Sequence, residues 1–209
     1  MNKFYVAALT GRSGSGKSYA SEYLRAKGIP SIDGDDVARE VVRPGEKCLR
    51  DLVQEFGGEI LLADGTLNRH LLGDLCFSDR RKKERLDAIT HPYIIERTTD
   101  YFDKLKEAGH RYCLVEAAAV VESGLYIVCD KLIMITSERA AQIGRIVARD
   151  GLSAEQANIR LDAQVDEDEL RALCDVVIDN SGSLEEFNRK LDALALQLEQ
   201  WFGEAPAKE

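Results

Sequence analysis

The sequence predicts an α/β fold of three layers, α/β/α, built on a five-stranded, mostly parallel sheet. Three observations carry that expectation. An apolar run, Phe4 to Leu9, leads into a glycine-rich octapeptide, Gly11-Arg12-Ser13-Gly14-Ser15-Gly16-Lys17-Ser18, and then into a helix-compatible run from Tyr19 to Lys27. Four further short apolar runs alternate with helical patterns and end in polar or acidic residues, the cadence of repeated strand–helix units. The 209 residues, 44% apolar and 31% charged, suit one globular domain with a large core and a smaller insertion.

The octapeptide fits the GxxxxGK[ST] spacing with Gly11, Gly16, Lys17 and Ser18 at the constrained places, and the strand before and helix after supply the context a P-loop needs. Its glycines let successive N–H groups turn inward as an anion-binding nest. The helix that follows aims its positive dipole end at the same point. Lys17 supplies a charge for the β- and γ-phosphates, and the Ser18 hydroxyl is a ligand for Mg²⁺. The expected ligand is a nucleoside triphosphate.

Taken in order, Gly28 reads as a helix C-cap and Ile29 to Ile32 as the second strand. That strand delivers Asp33-Gly34-Asp35-Asp36 at its C-terminal end, where open α/β sheets bind ligands. A helix N-cap with an acidic first turn favours the same residues, and both readings hold if one aspartate caps while another works. From Val37 to Phe56 the pattern is helical with a break at Arg43-Pro44-Gly45. Leu67 to Phe77 and Arg80 to Ile89 read as further helices, and Thr90-His91-Pro92 as the start of another reaching Leu105. This helical stretch, about 37–109, interrupts the strand–helix alternation as an insertion on the substrate side, with no linker-like composition at its edges.

The third strand, Arg111 to Glu116, ends in a carboxylate, a placement that in P-loop enzymes helps hold Mg²⁺. Cys129 to Ile135 is the fourth. The helix after it, from Ser137 to about Asp150, carries Arg145 and Arg149 four residues apart on one face, which reads either as a solvated face or as a pair placed to neutralise charge in phosphoryl transfer. Ser153 to Gln156 is a capping-box pattern opening another helix. The helix–turn–helix 138–165 is expected to close as a lid. Val176 to Ile178 is the fifth strand, Leu184 to Trp201 the last helix, and the polar tail Gly203 to Glu209 is expected to fray.

A net charge of −9 argues against a broad nucleic-acid face, which needs clustered Lys and Arg. The five cysteines are widely spaced and form no CxxC pair, so reduced, buried thiols are expected and no zinc or redox site. No signal-peptide pattern or membrane-length apolar run is present, which points to the cytoplasm.

Several of these stretches together resemble the dephospho-coenzyme A kinase family. Thr10 to Ser18 matches the family's TGxxGSGKS, Asp33 to Arg39 its DxDxxAR, and Val41 to Gly45 its VVxPG. Asp64 to Arg69 matches DGxLxR, His91-Pro92 the HP pair, Arg149 to Ser153 the lid, and Asp175 to Gly182 the DxVIxNxG ending. The likeness runs from about residue 4 to 200. Two departures stand out. Glu116 to Glu122 reads EAAAVVE where the family often has DxPLLFE, and Tyr19 replaces a usual Thr, whose phosphate contact would be through backbone N–H.

The resemblance implies transfer of the γ-phosphoryl of ATP to the ribose 3′-hydroxyl of dephospho-coenzyme A, with Mg²⁺. It implies ATP contacts from Gly11, Ser13, Gly14, Ser15, Gly16, Lys17, Ser18, Tyr19, Arg145, Arg149 and Asn180, the last beside the adenine. Lys17, Asp35, Asp33 and Arg145 would be catalytic, with Asp35 favoured over Asp33 as base, and Ser18 and Asp35 would hold the metal. Asp33, Arg39, Arg69, His91 and Glu122 would face the acceptor. The implied layout is a core of about 1–36, 110–137 and 170–202, an acceptor subdomain of about 37–109 and a lid of about 138–169, in a monomer or weak homo-oligomer that binds no nucleic acid or membrane. Another small-metabolite or nucleotide kinase on this scaffold, or a non-catalytic ATP-binding module, are the other readings; a GTPase would need an NKxD-like motif, which the sequence lacks.

Overall fold

The computed structural model describes residues 3–77 and 79–203, so the tail beyond Gly203 lies outside the described residues. The element order is β1 (Tyr5–Thr10), α1 (Lys17–Ala26), β2 (Ser31–Asp33), α2 (Gly34–Glu40), α3 (Lys47–Phe56), α4 (Arg69–Phe77), α5 (Arg80–Glu107), β3 (Tyr112–Glu116), β4 (Lys131–Thr136), α6 (Arg139–Asp150), α7 (Ala154–Asp162), α8 (Glu167–Leu173), β5 (Val176–Asp179) and α9 (Leu184–Leu198). The five strands form one sheet in the order β2-β3-β1-β4-β5. β1 pairs in parallel with β3 and β4, and β4 with β5.

The contacts divide the chain into two units: Met1–Ile32 with Phe102–Ala118 and Cys129–Glu209, and Asp33–Tyr101 with Ala119–Val128. The first holds the sheet. β1 sits at its centre and is buried from Val6 to Thr10, which is why it reads as a continuous apolar run and not as an alternating one. Ala7 and Leu9 pack with Leu24 of α1 and with Phe187, Leu191, Leu194 and Leu198 of α9. Each such buried leucine contributes about 2 kcal/mol of transfer free energy. Because β1 lies between β3 and β4, the strand order reverses direction at its C-terminal end. That is the switch point at which such sheets leave a crevice, and the glycine-rich loop begins there.

The second unit is helical. One expectation fails in it: Thr90-His91-Pro92 does not start a helix, because α5 runs unbroken through Pro92 for 28 residues. Proline withdraws one N–H from the helix ladder and costs about 3 kcal/mol in a helix interior. Anchors on both sides hold the helix through it. The Thr90 hydroxyl donates to the Leu86 carbonyl at 2.9 Å, Ile94 and Thr98 are buried, and Arg97 donates to Glu40 and Glu46.

The expected helix–turn–helix near 138–165 also gains a third helix, α8. Asp166 caps it by accepting from the Asp168 and Glu169 N–H groups. The capping box at Ser153 forms as the sequence predicts. All five cysteines are free, and Cys48, Cys76 and Cys113 are buried; burial pushes the Cys48 thiol up to about 11, so these thiols stay protonated and inert. Among the described residues, no helix is long and apolar enough to cross a membrane.

Candidate active site

The loop between β1 and α1 takes its shape from three glycines. Gly11, Gly14 and Gly16 have φ of +154°, +75° and +103°, conformations that side-chain-bearing residues rarely adopt. Space forbids a side chain as well. A Cβ on Gly14 would meet the Gln142 carbonyl oxygen at 2.5 Å, one on Gly11 would overlap the Ile135 carbonyl, and one on Gly16 would overlap the Asn180 amide nitrogen. A Gly16→Ala protein is therefore expected to lose about five- to 150-fold in nucleotide affinity, since the strain of about 1–3 kcal/mol that a Cβ introduces would push the loop out of shape. Calorimetric titration with ADP checks it, and unchanged affinity would show that the loop relaxes without cost.

Lys17 and Ser18 open α1 and both point at Glu116, the last residue of β3, which stands opposite Leu9 in the sheet. The Lys17 ammonium and the Ser18 hydroxyl each donate to Glu116 Oε1 at 2.9 Å, and the Lys17–Glu116 ion pair is about nine-tenths buried on both sides. Burial pushes the Glu116 carboxyl up, but the hydrogen bond and charge of Lys17, aided by the Ser18 hydroxyl, outweigh it and hold the group below its ordinary value. A hydroxyl and an ionised carboxylate side by side form a hard oxygen set of the kind Mg²⁺ accepts, so the residues present fit that ion.

Arg145 of α6 points at the loop, where its guanidinium donates to the Gly14, Ser15 and Asn180 carbonyls at 3.0, 3.3 and 2.9 Å and to Ser137 Oγ at 3.0 Å. The buried Asn180 side chain donates to the Ser15 carbonyl at 2.8 Å. The two residues thus brace the backbone of the loop. Arg149 does not join Arg145. It is exposed and paired with Asp150, its neighbour in sequence, and that charged hydrogen bond raises its pKa further. The helical repeat put both arginines on one face; an adjacent carboxylate took one of them. The Ser13 N–H donates to Gln164, and the Tyr19 hydroxyl donates to Asn188 while its ring lies against Tyr23 and Phe187.

The remaining candidates belong to the helical unit. Asp33 accepts the Asp36 N–H at 2.9 Å and so caps α2, whose first turn holds Asp35 and Asp36. Arg39, one turn on, pairs with Asp36. That hydrogen bond raises the Arg39 pKa further, with the charges of Asp36, Asp33 and Asp35 adding to it. Arg69, His91 and the Glu122 stretch border a largely apolar cavity of about 300 Å³, whose walls include Leu52, Leu72 and Ile94. Partial burial and the like charge of Arg39 lower the Arg69 pKa. His91 Nε2 lies 2.7 Å from the Glu122 carbonyl oxygen, so it is the Glu122 backbone, not its carboxylate, that His91 fixes. Lys83 and Asp87 also line this cavity and were not singled out by the sequence, since on a long charged helix they read as a solvated face.

Known proteins resemble this chain over most of its length. The model of the family described as "Dephospho-CoA kinase" matches residues 5–186. A dephospho-CoA kinase of Geobacter sulfurreducens is 39% identical over 189 residues, covering 90% of this chain and 96% of that protein. A crystal structure from Thermus thermophilus superposes with a TM-score of 0.76 at 29% identity, covering 94% of this chain and 99% of that one. A dephospho-CoA kinase from Campylobacter jejuni does so with a TM-score of 0.67 at 27% identity, covering 94% and 98%. The chain belongs to the dephospho-CoA kinase family.

Proposed function

We propose that this protein transfers the γ-phosphoryl group of ATP to the ribose 3′-hydroxyl of dephospho-coenzyme A, giving coenzyme A and ADP, the last step of coenzyme A synthesis. The family match over residues 5–186 carries the proposal. The site chemistry gives it a mechanism. The inward-turned amides of Gly11 to Ser18 hold the phosphates, and Lys17 exchanges its Glu116 partner for phosphate oxygens. Arg145 and Asn180 act through the loop they brace; the Asn180 amide is engaged by backbone, so any adenine contact comes from elsewhere on that residue. Ser18, with Glu116 or Asp35, would hold a magnesium ion, which supplies neutralisation of phosphate charge.

In this reading Asp35 takes the proton of the attacking hydroxyl, two residues past the end of β2. Arg39, Arg69 and His91 orient the acceptor within the helical stretch, about 37–109, and the helices of 138–169 serve as the lid that brings Arg149 to bear. A surface of net charge −9 leaves anionic substrates to be met by these few placed cations, in a cytoplasmic monomer or weak homo-oligomer. The test is ADP release with Mg-ATP, comparing dephospho-coenzyme A with adenosine, AMP, pantothenate and shikimate, and weighing the product. Turnover only with dephospho-coenzyme A, with a gain of one phosphate, supports the proposal. Turnover only with another acceptor overturns it and points to the Ala117–Val121 departure.

A further inference from the structure

Among the described residues, three buried side-chain polar atoms have no hydrogen-bond partner: Arg12 Nε, Ser15 Oγ and Ser21 Oγ. The first two belong to the glycine-rich loop. Ser21 stands outside it, on α1, and is fully buried. Native proteins rarely take a hydroxyl out of water without pairing it, so an orphan of this kind calls for an account.

Its neighbours supply one. Ser21 follows Lys17 by four residues and Ser18 by three, so the three side chains share one face of α1. Lys17 and Ser18 both donate to Glu116, and both bonds end on the same oxygen, Oε1. Burial pushes the Glu116 carboxyl up, while Lys17 first, and then Ser21 and Ser18, hold it below its ordinary value. The Ser21 hydroxyl therefore lies beside this carboxylate, without a bond of ordinary length and angle to it. That arrangement cannot outlast nucleotide binding as proposed above. Lys17 then turns to phosphate oxygens, including the β-phosphate that ADP and ATP share. A buried carboxylate that loses its cation needs another donor, and it has room for about four hydrogen bonds. An unpaired hydroxyl stands next to it, one turn along the same helix.

We propose that Ser21 is a positioning residue for Glu116: when Lys17 leaves that carboxylate for phosphate, the Ser21 hydroxyl takes its place as donor. The inference rests on the reading of Lys17 as a phosphate ligand. It makes nucleotide binding an exchange of partners, in which an orphaned hydroxyl gains a bond as a buried carboxylate loses one. Ser21 itself touches no substrate.

The experiment places Ser21→Ala in two full-length backgrounds, wild type and Lys17→Met, and compares melting temperatures without nucleotide. It also titrates the wild type and Ser21→Ala with ADP by calorimetry, with no metal added. While Lys17 holds Glu116, the hydroxyl has nothing to donate to, so Ser21→Ala is expected to leave the melting temperature unchanged or raise it. With Lys17 replaced by methionine the hydroxyl is already engaged. There the same substitution is expected to lower the melting temperature by roughly 3–12 °C, the range of one hydrogen bond to a charged group. ADP affinity is expected to fall roughly ten- to a hundredfold in Ser21→Ala. Equal melting shifts in the two backgrounds would mean that Ser21 serves packing alone, and they overturn the proposal, as does an unchanged ADP affinity. If Lys17→Met/Ser21→Ala fails to fold, the ADP titration of Ser21→Ala decides. A wild type that binds no ADP overturns the proposed function instead, and the melting comparison still judges the exchange at Glu116.

Discussion

A Lys17→Met enzyme is expected to lose about a hundred- to a thousandfold in kcat, the usual cost of removing one placed charge from a phosphoryl-transfer site. It is also expected to be less stable, for a separate reason. Glu116 would remain buried with its cation gone, and breaking a buried pair from one side costs about 3–5 kcal/mol. At the lower end, because the Ser18 hydroxyl remains, the melting temperature should fall by roughly 6–12 °C for a chain of this size.

The pH dependence separates the two effects. In the wild type the folded-state pKa of Glu116 lies below its ordinary value. The stability it contributes is present above the unfolded pKa of about 4.3 and is lost only as pH falls through the lower folded value. In Lys17→Met, burial is left as the dominant influence and raises that pKa. The deficit is then largest near neutrality and shrinks as the carboxyl protonates on acidification. A Lys17→Met/Glu116→Gln double variant should recover much of the stability and none of the turnover. Melting curves at pH 7 and pH 5 with kcat for both variants check this; turnover within tenfold of wild type would remove Lys17 from the chemistry.

Why some of this was legible in the sequence and some was not follows from range. The loop could be read because its constraints are local: Gly11, Gly14 and Gly16 each serve a backbone shape set within eight residues. The capping box at Ser153 and the acidic start of α2 are equally local. The Lys17–Glu116 pair spans 99 positions, and only the strand-end placement of Glu116 hinted at it. Gln164 gave no signal, because a glutamine in a turn is solvated in most proteins and only the fold brings it 151 positions back to Ser13. Pro92 misled in the opposite sense. Its local preference for a helix start was overruled by Ile94, Thr98 and Arg97, whose anchoring is tertiary. The pairing of Arg149 with Asp150 shows that a shared helix face fixes where a side chain starts and not where its charge ends.

Asp35→Asn is expected to lower kcat about a hundred- to ten-thousandfold with little change in melting temperature, and Asp33→Ala to do the reverse in kind. The sequence offered two aspartates for one role, and the structure gives one of them, Asp33, a capping bond. The Asp33 carboxylate accepts the Asp36 N–H, a capping bond whose removal costs about 1 kcal/mol, or roughly 2–4 °C here. Asn is as good a cap as Asp, so Asp33→Asn should keep both the helix and most of the activity. Asp35 sits half-buried in the first turn of that capped helix, with its backbone set by the cap. An amide there stays close in size and, if Asp35 has the role proposed for it, loses the base, and general-base catalysis contributes about 10²–10⁴ in rate. The loss should appear in kcat with KM for ATP unchanged, because the proton comes from the acceptor. If Asp33→Asn loses as much turnover as Asp35→Asn, the cap is not the whole of what Asp33 does, and the pair shares the chemistry. If Asp35→Asn turns over normally, neither base nor metal role can stand at that position.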